Sequence, residues 1–218
     1  SFLTISFHIL PNWFIVGAIV TIIIGFIDDK INLNWGVKLF VQILLLFFIS
    51  FNFWNQFQFI IFYDYLIPLN QIMLLIIFFF WFVGIYNAVN LIDGLDGLAA
   101  GFMVVLCTAA SFLGNSQFKE LNILFVICAI VFLIFNQRPA KTFMGDSGSL
   151  FLGYFLSTLP LLYYDLQSDI IDKLDMTPFI ILVSFLIADT TRVFFTRIIE
   201  GKSPMTADTI HFHHLIYQ

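Results

Sequence analysis

The sequence predicts an all-α fold, a polytopic transmembrane helical bundle of about seven spans. Three observations carry that prediction. Of 218 residues, 61% are apolar and only 11% are charged, against about half and about a quarter in soluble domains. A chain so composed lacks the polar surface to cover a water-facing core. Its apolar residues gather in runs close to the roughly 20 residues that cross a bilayer, and its few basic residues sort to alternate sides of those runs. A mean hydropathy of +0.99 agrees.

In chain order the spans fall at 12–27, 36–53, 71–89, 97–113, 121–136, 148–164 and 177–196. The stretch 57–67 (FQFIIFYDYLI) is too short to span and reads as an interfacial segment with its tyrosines at headgroup depth. With no linker or repeat, residues 1–218 make a single domain. The chain opens on Ser1 without the basic n-region of a signal peptide and stops at Gln218 just past a His-rich motif, so it reads as a fragment truncated at both ends. Cys107 and Cys128 lie within apolar runs, which excludes a secreted disulfide scaffold. Nine Lys+Arg and a net charge of −5 exclude a nucleic-acid partner held by a basic face.

Loops alternate sides. One side takes those near 28–35, 90–96 and 137–147 and all that follows 197. Lys30, Lys38, Arg138, Lys141, Arg192, Arg197 and Lys202 fall on or beside it, whereas Lys119 and Lys173 fall on the other. Positive residues mark the cytoplasmic side, so the first side of this multi-pass protein faces the cytoplasm. The residues that carry chemistry lie on that same side, although the parity count used none of them.

Asp28-Asp29 closes the first span (GFIDDKINLNWGVKLF), against the unfavourable negative end of the helix dipole. The pair is either a solvated loop start countered by Lys30 or part of a site. The presence of Asp93 and Asp146 on the same face favours a site, because carboxylates that converge need a cation to share. Oxygen donors suit Mg²⁺, with Mn²⁺ able to replace it, and Mg²⁺ pairs naturally with a diphosphate. Asn87, Asn90 and Asp93 recur every third residue in NAVNLIDGLDGLAAG, followed by Asp96, and neighbours in the series share a face if the helix runs that far. Gly94, Gly97 and Gly101 allow a close approach or a sharp turn there. Polar helix–helix glue is the alternative. Residues 144–149 (MGDSGS) place Asp146 at a helix start, where backbone N–H groups with Ser147 and Ser149 can hold an anion or orient a hydrated metal, or where Asp146 simply caps the helix. His211, His213 and His214 lack ligand-spaced partners for zinc and read as donors to phosphate or proton carriers. Lys38 snorkels or reaches a diphosphate. Asp189 and Arg192, at i,i+3, neutralise each other.

Taken together and in this order, DDKINLNWGVKL, NAVNLIDGLDGLAAG, PAKTFMGDSGSLFLG and SPMTADTIHFHHLI resemble the polyprenyl-phosphate N-acetylhexosamine-1-phosphate transferases, glycosyltransferase family 4. The split HFHH after SPMTAD looks most like the branch that moves N-acetylglucosamine-1-phosphate onto undecaprenyl phosphate. The phospho-N-acetylmuramoyl-pentapeptide transferases are the alternative branch. The resemblance implies transfer of a sugar-1-phosphate from a UDP-N-acetylhexosamine to undecaprenyl phosphate, with release of UMP, for cell-envelope polysaccharide. It implies Asp146 as the principal Mg²⁺ ligand with Asn90 near the metal. It gives Asp28 and Asp29 a part in catalysis, one of them accepting a proton, and has Asp93 organise the nucleophile region. Lys38, Asn87, Asn90, Asp96, His211, His213 and His214 become substrate contacts, and a homodimer stays open. Thr209 stands where the close branch carries a basic residue, and an upstream Pro/Arg/Gly-rich motif of the family is absent. A proton or cation transporter, the rival from another class, places its acids at mid-membrane without side preference, unlike the one-sided cluster here.

Overall fold

The computed structural model describes residues 10–53, 56–57, 59–94, 96–137, 139–166, 173–199 and 201. Among the described residues, eight helices and three short strands follow in the order α1 (Asn12–Ile31), α2 (Trp35–Asn52), β1 (Phe59–Phe62), β2 (Tyr65–Pro68), α3 (Gln71–Ile92), α4 (Leu98–Ala110), α5 (Ser116–Asn136), α6 (Gly145–Asp165), β3 (Lys173–Asp175), α7 (Thr177–Leu182) and α8 (Ser184–Ile199). Helices α2, α3 and α5 are long and apolar enough to cross a membrane, and α4 is a shorter apolar helix. Each of those three opens on an asparagine, Asn34, Asn70 or Asn115, whose Oδ1 accepts a backbone N–H of the first turn. That cap satisfies a donor the helix cannot.

Helix α1 shows what kind of solvent surrounds the bundle. Its buried stripe holds Gly17, Thr21, Gly25 and Asp28 beside Trp13 and Phe14, while Ile19, Ile22, Ile23 and Phe26 face outward. Small and polar side chains inside with large apolar ones outside reverse the soluble pattern and match helix packing in lipid. Phe40, Phe47 and Phe51 on α2 and Ile72, Ile76 and Phe80 on α3 continue the same outer surface. The chain is a membrane protein.

Helix α6 is the hub, with α1 on one flank and α3 on the other. A Cβ on Gly25 would meet the Ser147 backbone at 2.4 Å, and one on Gly153 would meet the Tyr86 carbonyl at 2.4 Å, so both contacts are backbone to backbone. Phe14 stacks on Tyr154 at 5.3 Å, and the Tyr154 hydroxyl donates to the Phe14 carbonyl at 3.2 Å. Trp13 Nε1 donates to Asp165 at 3.0 Å at the far end of α6, so α1 runs antiparallel to α6. Trp81 Nε1 donates to the Ser157 carbonyl at 2.8 Å, in the turn loosened by Pro160. This arrangement brings the ends of α1, α3 and α5 together with the starts of α2, α4 and α6.

Two expectations change in detail. The interfacial stretch 57–67 forms a β1–β2 hairpin, in register from Phe59↔Pro68 to Phe62↔Tyr65. Its turn residues Tyr63 and Asp64 are both left-handed (φ 45° and 65°), the geometry of a two-residue turn that matches strand twist. Strand β3 adds parallel to β1, giving sheet order β2-β1-β3 at the end of the bundle away from the acids. The segment 177–196 divides at Val183 into α7 and α8, and the structure offers no physical reason for the break. Within α8 the expected pair forms, Arg192 donating to Asp189 at 2.9 Å. Asp189 is buried, so Asp189→Asn is expected to lower stability by about 1.5–3 kcal/mol, the worth of a hydrogen bond to a charged group, and to leave turnover unchanged, as thermal unfolding in detergent and an activity assay would show.

Candidate active site

Four helix termini, the ends of α1, α3 and α5 and the start of α6, build one polar cavity of about 370 Å³ with the connections that follow α3 and precede α6, lined by Asp29, Asn90, Asp93, Asp96, Asn136 and residues 143–146 with Ser149. The loop before α6 makes it possible. Gly145 sits at φ +66°, a conformation that disfavours side chains, and a Cβ there would lie 2.9 Å from the Asp29 carboxylate. The chain can therefore turn directly over Asp29 into α6. Asp29 Oδ1 accepts the Asp146 N–H at 2.7 Å, and its Oδ2 accepts the Ser147 N–H at 3.1 Å and the Ser147 hydroxyl at 2.6 Å. A carboxylate from α1 thus caps the positive end of α6 across 117 residues of sequence. The anion expected at this helix start is the protein's own, and Asp146 is not the cap. Burial works to raise the Asp29 carboxyl, but the Ser147 hydroxyl and the two N–H groups outweigh it and hold the group below its usual range.

Asp28 is equally committed. It is 1% exposed; its Oδ1 accepts the Leu33 N–H at 2.7 Å and its Oδ2 accepts Lys38 Nζ at 2.6 Å. Burial opposes its charge, yet these donors with the Asp146 carboxyl carry it below the usual value. Lys38 is therefore the counter-charge of Asp28, fastening α1 to α2, while Lys30 lies over the Phe26 ring at 5.7 Å. Lys38→Met is expected to destabilise the protein by about 2 kcal/mol, the worth of hydrogen bonding to a buried charge, measurable as a lowered unfolding temperature in detergent.

Asp146 and Asp93 behave in the opposite sense. Burial, then the hydrogen bond and charge of Asp28 and the charge of Asp29, push Asp146 up to about 6 against the pull of Lys38. Burial and the charge of Asp146 push Asp93 up to about 6 as well. These two carboxyls border the cavity, and the pull of Lys38 on Asp146 does not offset the burial and like charge that raise them. Asn90, one turn before Asp93, has its Oδ1 accepting the Ser149 hydroxyl at 2.6 Å. Among the described residues no three carboxylate, imidazole or thiol groups lie close enough to enclose an ion by themselves. Asp146, Asp93 and the Asn90 carboxamide are nevertheless all hard oxygen donors at one half-buried opening. They fit a cation of the Mg²⁺ type, which completes its shell with water and substrate oxygens.

A match to the glycosyl transferase family 4 pattern runs over residues 12–164, from the start of α1 almost to the end of α6. The chain belongs to glycosyl transferase family 4. A Bacillus subtilis protein named probable undecaprenyl-phosphate N-acetylglucosaminyl 1-phosphate transferase is 38% identical over 91% of this chain and 56% of its own length. The phospho-N-acetylmuramoyl-pentapeptide-transferase of Staphylococcus carnosus is 38% identical over 74% of this chain and 57% of its own, and that of Listeria welshimeri 33% over 87% and 61%. The family 4 chain thus spans under two thirds of the length of these curated relatives.

The expected site residues divide accordingly. Asp29, Asn90, Asp93, Asp96 and Asp146 share the cavity of this family 4 protein, and Asp28 touches it through Asp146. Lys38 is engaged on Asp28. Asn87 turns away, its amide paired with Gln42. His211, His213 and His214 lie outside the described residues. Two residues escaped the motif reading. Asn136, 4% exposed, accepts the Gly97 N–H at 2.9 Å and donates to the Thr142 carbonyl at 2.8 Å, joining the Asp93–Gly97 connection to the approach to Asp146. Gln42 is the other. Each is a polar residue in or at the end of an apolar run, and that was the available signal.

Proposed function

We propose that this chain carries the catalytic region of a membrane transferase that moves N-acetylglucosamine-1-phosphate from UDP-N-acetylglucosamine to undecaprenyl phosphate at the cytoplasmic face. The carrying observation is that Asn90, Asp93 and Asp96, from the end of α3 and its connection to α4, and Asp146, from the first turn of α6, line one polar cavity at the end of an otherwise lipid-facing bundle. Such a place lets a polyprenyl chain remain in lipid while its phosphate meets a soluble nucleotide. An oxygen of the lipid phosphate attacks the β-phosphorus of the UDP-sugar, the bond from that phosphorus to the bridging oxygen breaks, and UMP leaves. Phosphoryl transfer of this kind depends on positioning and charge neutralisation. Mg²⁺, or Mn²⁺ in its place, would be held by Asp146 with Asn90 and would neutralise the diphosphate. Asp28 and Asp29 act as positioning residues, since their oxygens hold Lys38, Leu33 and the start of α6. Asp93, with its carboxyl near 6, is suited to take the proton of the attacking lipid phosphate, because a base works best with a pKa close to the working pH.

The test is radiolabelled UDP-N-acetylglucosamine with undecaprenyl phosphate and the full-length protein in membranes. A lipid-linked labelled product with stoichiometric UMP is expected. Activity with UDP-N-acetylmuramoyl-pentapeptide alone would move the protein to the branch of the Staphylococcus and Listeria relatives. No product from any UDP-N-acetylhexosamine would overturn the proposal.

A further inference from the structure

Helix α2 carries two polar side chains on one face, a turn apart: Lys38, which meets Asp28 of α1, and Gln42, which is 2% exposed and meets α3. Gln42 Nε2 donates to Asn87 Oδ1 at 3.1 Å, and Asn87 Nδ2 donates back to Gln42 Oε1 at 2.8 Å. Asn87 Nδ2 also reaches the Val83 carbonyl of its own helix at 2.8 Å, so the Asn87 amide has its donor and acceptor directions set. Three residues later Asn90 accepts the Ser149 hydroxyl of α6 at 2.6 Å. At about 100° per residue, positions 87 and 90 point about 60° apart around α3. Trp81 on the Ser157 carbonyl and Tyr86 against Gly153 also hold α3, but to α6 alone, whereas the Gln42–Asn87 pair adds a hold on a second neighbour from an adjoining face. Apolar packing on the same helix sets rotation less sharply, because lipid competes on equal terms with apolar side chains.

We propose that Gln42 is a positioning residue: through its reciprocal amide pair with Asn87 it fixes the rotation of α3, and with it the presentation of Asn90 and Asp93 to the cavity. Its consequence for turnover rests on the transfer reading above, whereas the geometric claim does not.

The geometric test uses the full-length protein in membranes, with the exposed Cys128 replaced by Ala and with Asn90→Cys and Ser149→Cys as a reporter pair. Copper–phenanthroline oxidation is expected to join the two cysteines, with peptide mass spectrometry as the readout. Adding Gln42→Leu is expected to slow that cross-link about three- to twentyfold, the span of measured interhelical hydrogen-bond couplings in membranes. Should Gln42→Leu alone fail to fold because the Asn87 amide is left unsatisfied, Gln42→Leu/Asn87→Leu leaves no orphaned amide and is expected to show the same slowing. An unchanged rate in the variants that fold, or no cross-link in the parent pair, overturns the proposal. On the native-cysteine enzyme, Gln42→Leu is expected to lower kcat with the KM for UDP-sugar little changed, and Gln42→Glu, which keeps an acceptor for Asn87, to recover part of the loss. Full turnover by Gln42→Leu overturns the catalytic consequence. An inactive parent enzyme removes the transfer reading instead, and the cross-link then decides the geometric claim.

Discussion

Asp146→Ala in the full-length protein is expected to lower UMP release by at least about a hundredfold, the cost of removing one preorganised charge-stabilising group from a site of this kind, while insertion and folding persist. The expectation follows from what surrounds the side chain. The backbone N–H of Asp146 and that of Ser147 are both held by Asp29, so the start of α6 does not depend on the Asp146 carboxylate. That carboxylate feels the pull of Lys38, but burial and the charges of Asp28 and Asp29 outweigh it and hold the group up near 6. A carboxyl raised above its unfolded value of 3.8 favours the folded state while protonated, and that contribution is lost as pH rises through about 6. At pH 7 the metal-free protein therefore carries Asp146 as a charge that Lys38 relieves only in part. Asp146→Asn should leave the unfolding temperature at pH 7 unchanged or higher and should flatten its dependence between about pH 4 and 6. Loss of turnover without loss of stability separates a working group from a structural one. Unimpaired UMP release by Asp146→Ala would remove this residue from the chemistry.

Much of this geography was legible in the sequence. Counting apolar runs placed Asp28, Asp93 and Asp146 on one face, and the helix termini do meet there, because helices joined by short connections must alternate direction. Which acid does what was not legible. Asp28 and Asp29 are adjacent and chemically identical, yet one is buried on Lys38 and the other caps α6, a distinction made by contacts that span 10 and 117 residues of sequence. The spacing of Asn87, Asn90 and Asp93 placed them on one helix, but a three-residue step also rotates the side chain by about 60°, enough to send Asn87 to α2 and Asn90 to α6. The hairpin at 59–68 was hidden for another reason. Its left-handed turn uses Tyr63-Asp64 in place of the Asn-Gly or Asp-Gly pairs that announce such turns, and its apolar strands look like a span cut short.

Gly25→Leu is expected to destabilise the protein by about 3 kcal/mol, at the upper end of overpacking costs, and to abolish turnover in whatever fraction still folds. The atoms that a Cβ would strike are backbone: Ser147 Cα at 2.4 Å, with the Asp146 carbonyl and the Ser147 nitrogen both at 2.7 Å. No rotamer change relieves such a clash, so α1 must move away from the start of α6. Four residues further along α1, that movement draws Asp29 off the Asp146 and Ser147 N–H groups, leaving a helix start uncapped and the Asp146 side chain without its support. Packing and site geometry therefore fail together here, the reverse of the Asp146 result. Gly101→Ala provides the contrast. Its Cβ would meet nothing within 4 Å, and alanine in a helix interior is expected to stabilise by about 0.5–1 kcal/mol. Thermal unfolding of both variants in detergent, with UMP release measured alongside, would separate the two glycines. Equal effects would mean that α1 and α6 do not meet backbone to backbone at Gly25, and the route by which α1 delivers Asp29 to the cavity would have to be redrawn.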